Sequence, residues 1–433
     1  MTYWDKKLNQ TKNNLAKTFP IIFLISLSAF LIFYKFNQIP KNLSFDEVEF
    51  SKLALSLDGK PYIPYSRQAT GHSTLYFYLL LFSFKIFGIN NFALRFPSAL
   101  FGVLNILIFY SILEKIFNNS QNFLISKFLN FSSLLSLVLL SSHWYLNFTR
   151  FAFETTFLLF LELVSIYFLI LFWQRKHSQN LFLSISGFFA GAAFNSYTPG
   201  RLFFFLPLVS VLFYPSQPLK KFFLFLIPLF ITILPLSTYL ITHKDIRIEQ
   251  QFFWKNSQLS LNNKINYTWQ NIKSTALMFH FKGDVNGRHN YPGKPALNPI
   301  LGVLFTAGLI LTILNWKNPF NLFAIGYFLF SIFPTILTYP WENPNMLRTY
   351  TALPSVVFFI ANAIISIDKT INRIIKNRFY KQLMLYAFFL LLIFSCFYEL
   401  RTYFKYQSDV FKSSFEIKYP LEKAIKMKNF YEK

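Results

Sequence analysis

The chain has 433 residues, of which 54% are hydrophobic, 21% aromatic and only 14% charged. Soluble domains carry about 25% charged residues, and a mean hydropathy of +0.37 over the whole length is too apolar for one buried core. These figures exclude a soluble enzyme, a nucleic-acid reader and a secreted disulfide scaffold, and describe an all-α polytopic membrane protein. The net charge of +24, from 42 Lys+Arg against 18 Asp+Glu, belongs to that class, because basic residues flank membrane helices and meet anionic headgroups. Cys396 is the sole cysteine and lies in an apolar run, so a packed thiol is expected and no internal disulfide is available.

In chain order, apolar runs fall near 19–36, 74–88, 96–113, 124–145, 154–173, 181–197, 202–214, 222–242, 297–315, 319–339, 350–367 and 383–403. Such runs cross a hydrocarbon layer ~30 Å thick. The first follows a basic leader but has no small-residue cleavage site, the pattern of a retained helix. Two polar stretches interrupt the series, 37–73 (within a first loop, 37–95) and 243–296. Residues 1–404 read as one membrane domain, and 405–433 as a short polar tail whose mixed aromatic and basic residues suit an outer amphipathic helix.

The 74–88 run decides the topology. If it does not span and Lys6, Lys7, Lys12 and Lys17 are cytoplasmic, several other basic groups fall on the same side. These are Lys115 with Lys127, Arg175 with Lys176, Lys220 with Lys221, and the group Lys369, Arg373, Lys376, Arg378 and Lys381. The opposite short loops keep single arginines, Arg150, Arg201 and Arg348. If 74–88 spans, every later loop changes sides and the positive-inside bias is broken. The expectation is therefore about eleven spans, a surface-lying or re-entrant helix at 74–88, a cytoplasmic N-terminus, and both long loops and the tail outside the cell.

Charges of unusual placement then share the outer side. Asp46 and Glu47 stand in "SFDEVEF" and Arg95 at the start of the 96–113 run; Arg150 and Glu154 occupy the next outer turn. Tyr197 and Arg201 lie in "SYTPGR", Asp284, Arg288 and His289 in "GDVNGRHNYPG", and Arg348 in "WENPNMLRTY". Each has a structural alternative. A lone arginine at a helix end anchors headgroups, Asp46 and Glu47 suit the N-terminus of a helix over 46–57, and His289 suits a loop hydrogen bond. Mid-span Glu162 suits a bond to a neighbouring helix. Together the outer charges make a polar cavity the expectation, with a carboxylate pair facing arginines. No phosphate-cradling Gly-rich loop, dinucleotide fingerprint, paired-Cys or H-E-x-x-H metal spacing, or nucleophile elbow occurs.

The runs "SFDEVEFSKLALSLDGK" and "GHSTLYFYLLLFSFKIFGINNFALRFPSALFGVLNILIFY", then "NFTRFAFET", "SYTPGRLF", "GDVNGRHNYPGKPALNP" and "MLRTYTALP", come in that order. This order resembles membrane glycosyltransferases of the GT-C superfamily, in the protein O-mannosyltransferase and aminoarabinose transferase group (family 39). The likeness spans about residues 19 to 370, but relatives often carry Lys-Pro-Pro or His-Pro-Pro where this chain has His72-Ser73-Thr74. The resemblance implies a GT-C fold with juxtamembrane helices in the first outer loop. It also implies transfer of a sugar from a polyprenyl-phosphate donor, with inversion, at the outer face of the plasma membrane. Asp46 would be the general base, with Glu47 orienting the acceptor. Arg95 first, then Arg288, Arg201 and Arg348, would hold the lipid phosphate. Arg150, Glu154, Tyr197, Asp284 and His289 complete the candidate site. The acceptor is a lipid, glycan or protein hydroxyl; membrane lipids are partners and nucleic acid is not. No metal is assigned, although Asp46, Glu47 and Glu154 suit a divalent ion if they meet. The alternative is a transporter or flippase for a lipid-linked or anionic solute, which would place its charges near the bilayer midplane.

Overall fold

The apolar runs fold as helices in the computed structural model, which describes residues 3–117, 130–174, 179–212 and 218–427. Lys127, Arg175, Lys176 and the ends of the 124–145 and 202–214 runs lie outside the described residues, as do 428–433 and the side chains of the basic leader. Helix α1 (Tyr3–Phe33) leads into a loop holding α2 (Phe45–Ser56), strands β1 (Tyr65–Ser66) and β2 (His72–Ser73), and α3 (Leu75–Phe87). Then come α4 (Asn91–Phe117), α5 (Phe131–Ser141), α6 (His143–Thr149), α7 (Thr155–Gln174), α8 (Gln179–Phe194), α9 (Phe205–Leu212) and α10 (Pro218–Thr242). The second long loop contains α11 (Ile246–Gln251) and α12 (Leu261–Met278). Helices α13 (Pro299–Leu314), α14 (Pro319–Ile336), α15 (Leu353–Ile374) and α16 (Arg378–Arg401) return to the bundle, and α17 (Ser408–Ser414) and α18 (Leu421–Lys426) follow.

Among the described residues, 6 helices are long and apolar enough to cross a membrane, namely α4, α7, α10, α14, α15 and α16. Shorter apolar helices stand at the remaining expected spans, α1, α5, α8, α9 and α13. The 124–145 run is broken at Ser142, where α5 stops and α6 restarts. The 74–88 run is the 13-residue α3, about 20 Å long at 1.5 Å per residue and short of the hydrocarbon thickness. It packs on α2 and α4.

Helix α7 packs against α4 and α8, α8 against α10, and α13 against α15. Glycine permits the last of these contacts, since a Cβ on Gly308 would stand 1.7 Å from the Phe359 carbonyl oxygen. Glu162 is buried between helices and accepts a 2.6 Å hydrogen bond from the Tyr327 hydroxyl, the helix-to-helix bond expected of it.

At one end of the bundle the loops interlock around buried charge. Ser44 caps α2 by accepting the Glu47 N–H, and Glu47 Oε2 accepts the Ser44 N–H at 3.1 Å, a reciprocal capping box. Arg95, in the first turns of α4, donates Nε to Glu47 Oε1 at 2.7 Å and Nη2 to Oε2 at 2.9 Å. Its remaining bonds go to the carbonyls of Pro40 (2.5 Å) and Asn42 (2.7 Å), and Ala152 N–H reaches Glu47 Oε1 at 3.3 Å. Arg150 donates to the carbonyls of Leu31, Ile32, Tyr34 and Ile39. It thereby satisfies groups that the end of α1 leaves without helical partners. Residues beyond α16 fold onto the same assembly: Phe411, Phe415, Ile417, Leu421 and Ala424 are buried, and α18 packs against α2. The described part of the tail, up to residue 427, thus packs on the body.

Arg95→Ala leaves a buried carboxylate unpaired, so the unfolding midpoint in detergent should fall by the equivalent of about 3–5 kcal/mol. Gly308→Ala forces α13 away from α15, and a smaller loss of about 1–3 kcal/mol is expected in the same assay.

Candidate active site

Successive helical positions point about 100° apart, so the two acids of "SFDEVEF" part company at the start of α2. Glu47 turns inward to Arg95 and is fully buried, whereas the Asp46 side chain stays 37% exposed. Asp46 lies in a cavity of about 370 Å³ lined by residues from α2, the β2 hairpin, α11 and the 284–289 and 341–348 loops. Arg288 Nη1 donates to Asp46 Oδ2 at 2.6 Å, and Asp46 Oδ1 has no hydrogen-bond partner among the described residues.

The loop that delivers Arg288 is built by its own polar side chains. Asp284 Oδ1 accepts the Asn286 N–H at 2.8 Å, and Asn286 Oδ1 accepts the Arg288 N–H at 3.0 Å. Asp284 Oδ2 faces His289 Nδ1 at 2.9 Å and also accepts the Met346 N–H at 2.9 Å. Asp284 and His289 therefore shape the loop that lines the cavity, the structural alternative for His289. The Asn147 amide fixes the Arg288 carbonyl at 2.7 Å. From the 341–348 loop, Arg348 pairs with Glu342 and donates Nη1 to Thr338 Oγ1 at 3.2 Å.

The far wall holds residues that the sequence did not single out for this site. Arg247, on α11, places its guanidinium 5.2 Å from the Tyr197 ring centroid, with Nη1 2.9 Å from His72 Nδ1. His72 also contacts the Glu154 carboxylate and, through Nε2, the Ala69 carbonyl at 2.8 Å. Glu154 Oε2 is buried with no hydrogen-bond partner among the described residues. Arg201 does not line the cavity. It pairs with Asp245 and reaches Ser73 Oγ at 3.3 Å, bracing the N-cap of α11 and strand β2, next to Arg247 and His72. Burial alone would raise the Asp245 carboxyl, but the Arg201 charge and hydrogen bond outweigh it and hold it below its ordinary value.

Asp46, Tyr197, Asp284, Arg288, His289 and Arg348 thus share one cavity, while Glu47, Arg95, Arg150 and Arg201 lie outside its lining. For Arg95 and Arg150 this corrects the sequence expectation. Both are fully buried, and their hydrogen bonds go to Glu47 and to main-chain carbonyls, away from the cavity. Glu47 is likewise held by Arg95 and the α2 cap, outside the cavity lining. Asp46, Glu47 and Glu154 do not converge, and among the described residues no three His, Cys, Asp or Glu side chains are grouped to hold a metal ion.

No curated protein matches the chain. Residues 71–241 match the model of the dolichyl-phosphate-mannose-protein mannosyltransferase family. The crystal structure of ArnT from Cupriavidus metallidurans bound to undecaprenyl phosphate aligns with a TM-score of 0.50 and 11% identity, covering 94% of this chain and 77% of that one. The archaeal oligosaccharyltransferase AglB from Archaeoglobus fulgidus, in complex with an inhibitory peptide and a dolichol-phosphate, aligns with a TM-score of 0.52 and 14% identity. That match covers 92% of this chain and 56% of AglB, and at such identities both likenesses concern the fold. The family match thus covers residues 71–241 only, and over nearly its whole length the chain shares the fold of these two membrane proteins.

Proposed function

We propose that the protein moves a sugar from a polyprenyl-phosphate-linked donor to a hydroxyl on a lipid, glycan or protein acceptor, at the outer face of the plasma membrane and with inversion. The observation that carries this reading is the partly exposed Asp46 carboxylate in a cavity that also holds Arg247, Arg288 and Arg348. The lipid phosphates bound to ArnT and AglB support a donor of that class.

The chemistry assigns the parts. The acceptor oxygen attacks the anomeric carbon while its proton passes to Asp46 Oδ1, and the bond from that carbon to the phosphate oxygen breaks. A phosphodiester becomes a phosphomonoester, so the leaving group gains a negative charge as the bond lengthens. Inversion puts base and leaving group on opposite sides of the reacting carbon. Arg288, paired directly with Asp46 Oδ2 at 2.6 Å, orients the base. Arg247 and Arg348 are then the phosphate-holding pair, with guanidinium forks matched to phosphate oxygens and stabilisation that grows with the leaving charge. Tyr197 supports Arg247 from below its plane. His72 stands where relatives often carry Lys-Pro-Pro or His-Pro-Pro, and its ring lies against the Arg247 guanidinium on the same wall.

Asp46→Asn removes the proton acceptor but preserves shape, so transfer from an undecaprenyl-phosphate-linked sugar in membranes should fall by about 10²–10⁴-fold with insertion unchanged. Residual activity near that of the unmodified protein removes Asp46 as base. Arg247→Ala and Arg348→Ala should each raise the donor KM by roughly tenfold, the size of one lost charge-assisted contact. A donor dependence identical to that of the unmodified protein returns these arginines to structural roles.

A further inference from the structure

The chain beyond Arg401 reaches both members of the Asp46–Arg288 pair at the residue that precedes each. The Gln407 side chain, 1% exposed, donates Nε2 to the Gly287 carbonyl at 2.7 Å. Helix α17 rests directly on that backbone: a Cβ on Gly287 would stand 2.1 Å from Ser414 Oγ and 2.8 Å from Val410 Cγ1. Nine residues later, Glu416 Oε1 accepts the Phe45 N–H at 3.2 Å. Phe45 opens α2, and its N–H is one of the donors a helix start leaves without an internal partner; a carboxylate there also suits the helix dipole. Ile417 and Leu43 exchange two main-chain hydrogen bonds of 2.9 and 3.0 Å. Between these anchors, the Phe415 ring lies 5.7 Å from the Arg95 guanidinium and 5.5 Å from the Phe151 ring.

We propose that residues 407–417 form a strap that sets the base against its arginine, with Gln407 and Glu416 as positioning residues. The catalytic meaning of the strap rests on the sugar-transfer reading; its geometric claim does not. The Asp46–Arg288 contact joins residues 242 positions apart, on two loops with no covalent reason to stay in register. Helix α6 and the turn after it touch both segments, through Asn147 and Ala152. The strap adds a hold at the residue before each reacting side chain, which fixes where Asp46 and Arg288 leave the backbone. A displacement of about 1 Å at a reacting group lowers rate by up to ~10²-fold. Loss of the strap contacts should therefore act on kcat. The donor KM should move less than twofold, because Arg247 and Arg348 lie on other elements.

The geometric arm uses the full chain in nanodiscs with Cys396→Ser and spin labels on Lys60→Cys, beyond α2, and Val285→Cys, beside Asp284. Both label positions are exposed. A single narrow distance distribution is expected, broadening when Gln407→Ala and Glu416→Ala are combined and narrowing again when Glu416→Gln replaces Glu416→Ala. A distribution unchanged by the double substitution overturns the strap. The catalytic arm is a double-mutant cycle on transfer from an undecaprenyl-phosphate-linked sugar. Gln407→Ala should cost kcat roughly tenfold in the unmodified protein and nothing further in Arg288→Ala, whereas additive losses overturn the proposal. If the unmodified protein transfers no sugar, the sugar-transfer reading fails, and the distance measurement alone judges the strap.

Discussion

The site depends on one buried ion pair, Glu47 with Arg95, both fully removed from solvent. Burying two charges costs several kcal/mol per ion, repaid only by good geometry and further hydrogen bonds, and this pair draws those bonds from its surroundings. The α2 cap, the carbonyls of Pro40 and Asn42, and the Ala152 N–H all converge on it. The pair thereby ties α2 to α4, to the segment leaving α1 and to the turn before α7. Its chief consequence is rotational. With Glu47 fixed inward, the neighbouring position on α2 must face away from the Arg95 side, so Asp46 is presented to the cavity. The adjacent acids divide between the buried network and the cavity because a helix cannot point both the same way.

What was legible in the sequence follows the same physics. Helices were readable because lipid demands long apolar runs, and α3 was set apart from the spans because the charges flanking later runs would otherwise break the positive-inside bias. Asp46, Arg288 and Arg348 were singled out as chemistry-bearing groups, and they do share a cavity. The destination of each arginine was not legible. Arg95 and Arg150 look in sequence like Arg348, a lone cation at a helix end, and only folding reveals that carbonyls and Glu47 consume their donors. Arg247 was hidden among the lysines and polar residues of the second long loop, and His72 registered only as a departure from a proline-rich triplet. The tail misled through its average polarity, since Phe411, Phe415, Ile417 and Leu421 are buried while charged neighbours between them face outward.

The exposure of each arginine's partner separates the guanidinium groups that can change partners from those that cannot. Glu47 is 0% exposed and Asp245 8%, so an arriving phosphate has no route to displace either carboxylate, and Arg95 and Arg201 remain braces. Glu342 is 35% exposed and Asp46 37%, and water is available to solvate a carboxylate released there. In the resting cavity Arg288 and Arg348 therefore sit on replaceable anions, already oriented and with little reorganisation left when charge develops nearby. Of the two, Arg288 is tied to the carboxylate that must stay close to the acceptor. Arg348 is tied to Glu342, and Arg247 lies between a histidine and an aromatic face, with no carboxylate paired to it among the described residues. Under the proposed reaction, a phosphate that gains charge as it departs would strengthen its bonds to these last two most, the differential binding that lowers a barrier and does not merely hold a substrate.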